Sequence, residues 1–299
     1  VPLCASLLAQ IFREAGFPTH AFDAPLIDLP TTSLLIQDPR IAGVALTGSE
    51  RAGVSVAQAA SLHPKPLVLE LGSNDPFIVL ADADLPLAAA LAARSRTLNC
   101  GQSCIAAKRF IVESSVHAEF VQHLTTQLLS LRVGDPTDPA TQVGPMARAD
   151  LRAQLHAQVT ASIDAGARLM LGGQVPEGPG SFYPPTLLDR VPLGCPAADE
   201  ELFGPVAAVF VAQDPNHALR LANDSRFGLG ATICTRDLRL ATAFASQLNA
   251  GVVAINDMVR SDPRLPFGGV KASGYGRELG RDGIRAFANI KSVYIGATD

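Results

Sequence analysis

Apolar residues recur along the chain in two alternating rhythms. Leu3, Leu7, Leu8, Ile11 and Phe12 fall at helical spacing and predict an amphipathic helix at the start. The run GVALTGS reads as a strand stopped by glycine, and ERAGVSVAQAASLH after it as a helix. Strand-like runs LVLELG, FIVLADA, KRFIVES, ARLMLGG, VAAVFVA, GATICT and VVAIND follow. They are interspersed with helical stretches DLPLAAALAARSRTL, VHAEFVQHLTTQLLSL, ARADLRAQLHAQVTASIDAG, HALRLANDS and LATAFASQLN. RVGDPTDPATQVGPM is a Pro/Gly-rich loop, and the chain closes on a helix GRDGIRAFANI and a strand KSVYIG. Strands alternating with helices of this length imply right-handed crossovers and mostly parallel sheets, so the fold class is α/β. There is no internal repeat.

In open α/β sheets ligands bind at the carboxyl ends of strands, and three polar features are expected at such ends. The first is Thr47-Gly48-Ser49, with Gly53 in the first turn of the next helix. Helix N-terminal N–H groups favour an anion and Gly48 allows close approach, so a pyrophosphate fits there; a plain serine N-cap fits equally. The second is Glu70, the one acid in LVLELG. A carboxylate in a buried strand must be paired, protonated or face a cavity, in a functional or a structural role. The third is Cys104, ending Asn99-Cys100-Gly101-Gln102-Ser103-Cys104. It reads either as a thiol exposed at a cleft or as an inert buried one.

Composition narrows the partners. The 299 residues suffice for two domains, and 47% are hydrophobic. Only 17% are charged, the net charge is −4, and no basic cluster is present, which excludes a nucleic-acid partner. Just four of the 24 basic residues are lysines (Lys65, Lys108, Lys271, Lys291), a skew read here as genome composition. No apolar run is long enough to span a membrane. Five scattered cysteines without a Cys-x-x-Cys pair imply a reducing cytoplasm and no metal.

Five strings appear in order: TGS (47–49), LELG (69–72), GQ-C (101–104), EE-FGP (200–205) and PFGG-K-SG-GRE (266–278). In order and spacing, with 34 positions from Glu70 to Cys104 and 97 from Cys104 to Glu201, the chain resembles the aldehyde dehydrogenase superfamily. The resemblance implies NAD or NADP as cofactor and an aldehyde as substrate. It makes Cys104 the nucleophile and Glu70 the base that activates water on the thioester. Glu201 matches the residue that holds the nicotinamide ribose and Phe203 the one beside the nicotinamide ring. Gly48 and Ser49, with Gly53, match the pyrophosphate turn, and Leu71 a carboxamide contact. A carboxylate in an apolar strand has its pKa raised towards neutrality, as general-base work needs. Glu70 also argues for water, rather than a thiol, as acyl acceptor. One position departs from the family: Ser73 stands where a second glycine is usual, and a requirement there for positive φ would cost about 1 kcal/mol and restrict Glu70.

Longer strings such as NDPFIVLADADL and GQSCIAAKRFIV resemble bacterial succinate-semialdehyde dehydrogenases. The distal carboxylate of such a substrate needs a cation. Where one branch has an arginine this chain has Leu98, leaving Arg96, Arg260 and Arg264 as candidates or as surface arginines. A Cys100–Cys104 disulfide under oxidation is the weaker alternative to a space-filling Cys100. The resemblance also implies a segment ahead of Val1, carrying an oxyanion-hole asparagine and an adenosine-ribose lysine. On that reading the 299 residues alone are inactive and poorly soluble. The expected layout is half of a Rossmann-like cofactor domain at 1–72, a catalytic domain at 73–273, and a helix and oligomerisation strand at 274–299, in a homodimer or homotetramer. The competing class is a non-catalytic relative kept for binding or structure.

Overall fold

Strands that are apolar on both faces need cover on both sides, and the computed structural model, which describes residues 2–297, supplies it. Contacts divide the chain into two compact units, Val1–Val44 with Val54–Pro66, and Ala45–Gly53 with Leu67–Asp299.

The first unit holds α1 (Pro2–Glu14) and α2 (Leu29–Gln37). Asp28 caps α2 by accepting from the Thr31 N–H at 2.9 Å, and Pro30 sits in the first turn, where its missing donor is harmless. At the other end of α2, Lys65 Nζ donates to the carbonyls of Ile36 (2.6 Å) and Asp38 (2.9 Å). Phe12 packs between Phe17 and Phe22, with ring centroids 4.9 and 5.0 Å away. The α1 stripe of Leu3, Leu7, Leu8 and Ile11 is exposed.

β1 (Val44–Thr47) and α3 (Glu50–Ala60) each contribute residues to both units. The second unit continues with β2 (Leu67–Glu70), β3 (Pro76–Val79), α4 (Leu85–Thr97), β4 (Arg109–Glu113), α5 (His117–Leu129) and α6 (Ala149–Asp164). Then come β5 (Arg168–Leu171), β6 (Thr186–Asp189), α7 (Pro196–Asp199), β7 (Val206–Ala212), α8 (Pro215–Asn223) and β8 (Gly230–Cys234). The chain closes with α9 (Leu238–Ala245), β9 (Val252–Ile255), β10 (Gly274–Tyr275) and α10 (Gly280–Arg285).

Seven strands form one sheet in the order β5-β6-β7-β4-β3-β8-β9, parallel except for the edge strand β5. Side chains alternate between two cores. Phe77, Val79, Phe110 and Val112 pack with α4 and α5 on one face, while Ile78 and Ile111 pack with α6, α8 and α9 on the other. Each of these six is fully buried and contributes roughly 1.5–3 kcal/mol. The expected α/β class is the observed one. A second sheet, β1-β2-β10, lies beside it, with β10 antiparallel to β2. The Gly48 N–H donates to the Glu70 carbonyl (2.9 Å) and the Leu71 N–H to that of Ser273 (3.0 Å). These bonds group residues 45–53 and 67–72 with the larger unit.

Two expectations are corrected. Thr47 and Glu70 do end strands, but Cys104 precedes β4 and lies at the amino ends of the large sheet's strands. The cause is the link of five residues, Leu71–Asp75, between β2 and β3. It spans at most about 17 Å, so the carboxyl end of one sheet abuts the amino end of the other. The strand expected over KSVYIG does not form, and residues 286–297 carry no strand. No helix among the described residues is long and apolar enough to cross a membrane.

Gly274 tests the junction. Its φ is +107°, and a Cβ there would run into the Leu69 carbonyl of the paired strand. Gly274→Ala should lose about 3 kcal/mol or more of stability in denaturant titration of the gene product, from strain plus broken pairing. A loss under about 1 kcal/mol would contradict the pairing.

Candidate active site

The site grows from the link between the sheets. Glu70 ends β2, is 2% exposed, and neither carboxyl oxygen has a hydrogen-bond partner. Burial and the nearby Glu278 carboxylate push its pKa up to about 7, against a smaller opposite pull from Arg277. A carboxyl group so placed exchanges a proton near neutrality. Gly268 makes room for it, since a Cβ there would sit 2.8 Å from Glu70 Oε1.

Three residues on, Ser73 reaches in two directions. Its N–H donates to Glu201 Oε1 at 3.0 Å, and its hydroxyl donates to the Cys104 carbonyl. Its φ is not positive, so serine in place of the family's second glycine carries no backbone strain, and the expected restriction on Glu70 from that source is absent. Gly72 is the position that requires glycine: a Cβ there would fall 2.5 Å from Glu201 Oε2.

Cys104 follows a tight turn in which Asn99, Cys100 and Gly101 all have positive φ. Gly101 is obligatory, because a side chain would strike the Gly204 carbonyl, so this turn packs on the loop that carries Glu201 and Phe203. Cys104 is half-buried. Burial raises its thiol pKa, Lys108 and the Ile105 N–H oppose the rise, and Asp75 and Glu201 add to it. Cys100 is buried, and burial pushes its thiol up to about 11, so it is the less readily ionised of the two cysteines of this turn.

Ser73 thus joins the Cys104 loop to Glu201 three residues past Glu70, and the Gly48 N–H, donating to the Glu70 carbonyl, sets the Gly48–Ser49 turn beside the end of β2. Ser49 caps α3 by accepting from the Ala52 N–H (3.3 Å). Glu50 in the first turn of α3 is neutralised by an ion pair with Arg226, whose guanidinium lies 4.3 Å over the Phe227 ring. Gly53 lets the Leu71 side chain approach closely, since a Cβ would lie 2.6 Å from it. Phe203 presents a partly exposed ring two residues beyond Glu201. In their donor and acceptor chemistry these residues suit a dinucleotide. Glu201 has one oxygen anchored and the other beside Gly72, and the capped start of α3 offers N–H groups to phosphate.

Of the three candidate arginines, Arg96 lies at the Cys104 turn and acts electrostatically on Glu201 and Lys108. Arg96 is fully buried, its Nη2 donating to the Gly101 carbonyl at 2.5 Å, and burial lowers its pKa to about 10. Arg260 and Arg264 are exposed and paired with Asp257 and Asp262. Sequence reasoning passed over Lys108 and Asp75, both buried at the junction. The signal for Lys108 was its rarity, a lysine kept in an arginine-rich chain.

Residues 1–293 match the aldehyde dehydrogenase family model, and the chain belongs to that family. It is similar to a probable succinate-semialdehyde dehydrogenase, NADP(+), of Synechocystis sp., with 51% identity over 295 residues, 99% of this chain and 65% of that protein. With succinate semialdehyde dehydrogenase, NAD(P)+, Sad of Escherichia coli it shares 48% identity over 291 residues, 97% of this chain and 63% of that protein. The crystal structure of succinic semialdehyde dehydrogenase from Streptococcus pyogenes with NADP+ as cofactor superposes with a TM-score of 0.96 at 38% identity, covering 99% of this chain and 65% of that one. The chain thus spans just under two thirds of the length of these relatives.

The raised Glu70 pKa has a measurable sign. Folded Glu70 keeps its proton to about pH 7, whereas the unfolded carboxyl loses it near 4.5, so Glu70 costs the fold stability as pH rises through that window. The Tm of Glu70→Gln relative to the parent should climb between pH 4.5 and 7, by an amount corresponding to about 1–3 kcal/mol, and then level off. A difference in Tm that stays constant across the window would show that Glu70 ionises freely.

Proposed function

We propose that the protein, as its gene encodes it, oxidises a small aldehyde to the carboxylic acid with NAD(P)+, and that succinic semialdehyde is its substrate. The observation that carries this reading is the Ser73 bridge, which ties the end of the Glu70 strand to the Cys104 loop and to Glu201. Cys104 Sγ adds to the aldehyde carbon, converting a carbonyl into a sulfur-bound tetrahedral centre. NAD(P)+ held by Glu201, Phe203, Leu71 and the Gly48–Ser49 turn would supply the two-electron acceptor that leaves a thioester on Cys104. Glu70, with its pKa near 7, then takes a proton from water as that water attacks the thioester carbon. The carboxylic acid departs and the thiol is restored. Residues 1–72 are assigned to the cofactor domain and 73–273 to the catalytic domain, with 274–299 assigned to assembly into a homodimer or homotetramer in the cytoplasm.

The substrate is argued from the relatives' names at about half identity. A second reading, a neutral aliphatic aldehyde, is favoured by the arginines, since Arg260 and Arg264 are paired and Arg96 is sealed from solvent.

Comparing kcat/KM for succinic semialdehyde and butyraldehyde separates the two. The first reading expects a ratio of roughly 100 or more, the worth of a charge-assisted contact; equal values remove it in favour of the second. Cys104→Ser should lower kcat by at least about 1,000-fold with either aldehyde. Near-parental turnover by that variant would end the thioester reading.

A further inference from the structure

Lys108 takes no part in the chemistry above, yet its side chain is completely buried four residues past the nucleophile. Five oxygens surround its nitrogen. They are the carbonyls of Ser103 (3.3 Å), Cys104 (2.9 Å) and Ala106 (3.0 Å), the Ser73 hydroxyl (3.3 Å) and Glu201 Oε1 (3.4 Å). An ammonium offers three N–H bonds and a neutral amine two, so this cage selects the charged form against the burial that lowers its pKa. The three carbonyls belong to the Cys104 loop, Ser73 to the link that leaves Glu70, and Glu201 to the loop that carries Phe203. One nitrogen therefore ties together three segments that are remote in sequence.

We propose that Lys108 is the positioning residue of this site: with the Ser73 hydroxyl as relay, its ammonium holds the Cys104 loop against the end of β2 and anchors one oxygen of Glu201, leaving the other for the cofactor. The inference rests on the reading of Cys104 as nucleophile. It assigns Lys108 a second effect, because the charged groups acting on the thiol are Lys108, Asp75 and Glu201. Without the ammonium, Cys104 faces two carboxylates alone and forms thiolate less readily. Arg96 acts on Lys108 and is not among the charges acting on Cys104.

The test is the pH profile of Cys104 alkylation by iodoacetamide in the gene product, followed by peptide mass and requiring no turnover. Lys108→Met keeps the length of the stem and removes the charge. Alkylation at pH 7.5 should slow about 10-fold or more, with the midpoint moved to higher pH, and KM for NAD(P)+ should rise several-fold. A folded Lys108→Met protein whose profile overlaps the parent's overturns the proposal. If that variant does not fold, Ser73→Ala, which loses only the relay hydroxyl, should slow alkylation about 3- to 5-fold, and an unchanged profile overturns the proposal equally. Dehydrogenase turnover that survives complete Cys104 labelling of the parent would instead defeat the thioester reading, while the alkylation profiles still report on Lys108.

Discussion

Leu71 to Asp75 carry the chain from the end of one sheet to the start of the next in five residues, and the site exists because that link is short. It sets the carboxyl end of β2 against the amino ends of β3, β4 and β7, so the loops before β4 and β7 converge on Ser73, three residues past that end. Each residue of the link is committed. The Leu71 side chain meets Gly53, and Gly72 leaves space for Glu201. Ser73 bridges to Cys104 and Glu201. Asn74 donates to the Ala198 carbonyl, and Asp75 accepts from the N–H of Gly230 and, through its own carbonyl, from those of Lys108 and Arg109.

So much buried polarity at one junction is costly unless it is matched. The match here is between cations and backbone carbonyls as much as between opposite charges. Arg109 donates to the carbonyls of Asn74, Leu221 and Ala222, and Lys108 to three carbonyls of the Cys104 loop. The same device recurs elsewhere. Lys65 holds the carbonyls of Ile36 and Asp38, and Lys271 those of Asn223 and Ser225, each at the end of a helix. Three of the chain's four lysines thus grip convergent carbonyls. A compact ammonium with three rotatable donors suits such clusters, and the guanidinium of Arg109 serves one in the same way. The matching is incomplete: Asn74 Oδ1, Asp75 Oδ2 and two nitrogens of Arg96 have no partner, nor has either oxygen of Glu70, whose burial raises its pKa.

Much of this was legible in residue order. The alternation of strands and helices gave the α/β class, and the isolated acid in LVLELG and the thiol of GQSC marked the two groups proposed to react. Periodicity could not show which end of a sheet Cys104 occupies, because it says where strands lie and not how two sheets abut. The grip of the lysines on carbonyls was not legible, since carbonyl clusters leave no trace in sequence. The closing strand was expected from apolar alternation in KSVYIG, but alternation specifies a face rather than a ladder, and residues 291–297 form no strand. Charge and location along the chain likewise do not reveal that Asp257 and Asp262 pair with Arg260 and Arg264.

The central claim is that one sulfur and one carboxyl group act in turn on the same carbon. It is tested most directly by mixing the Glu70→Gln protein with aldehyde and NAD(P)+, quenching in acid, and mapping the peptides by mass. The account predicts the acyl group trapped on Cys104, with one equivalent of reduced cofactor formed per site. Reduced cofactor without an acyl group on Cys104, or an acyl group on a different residue, would contradict it.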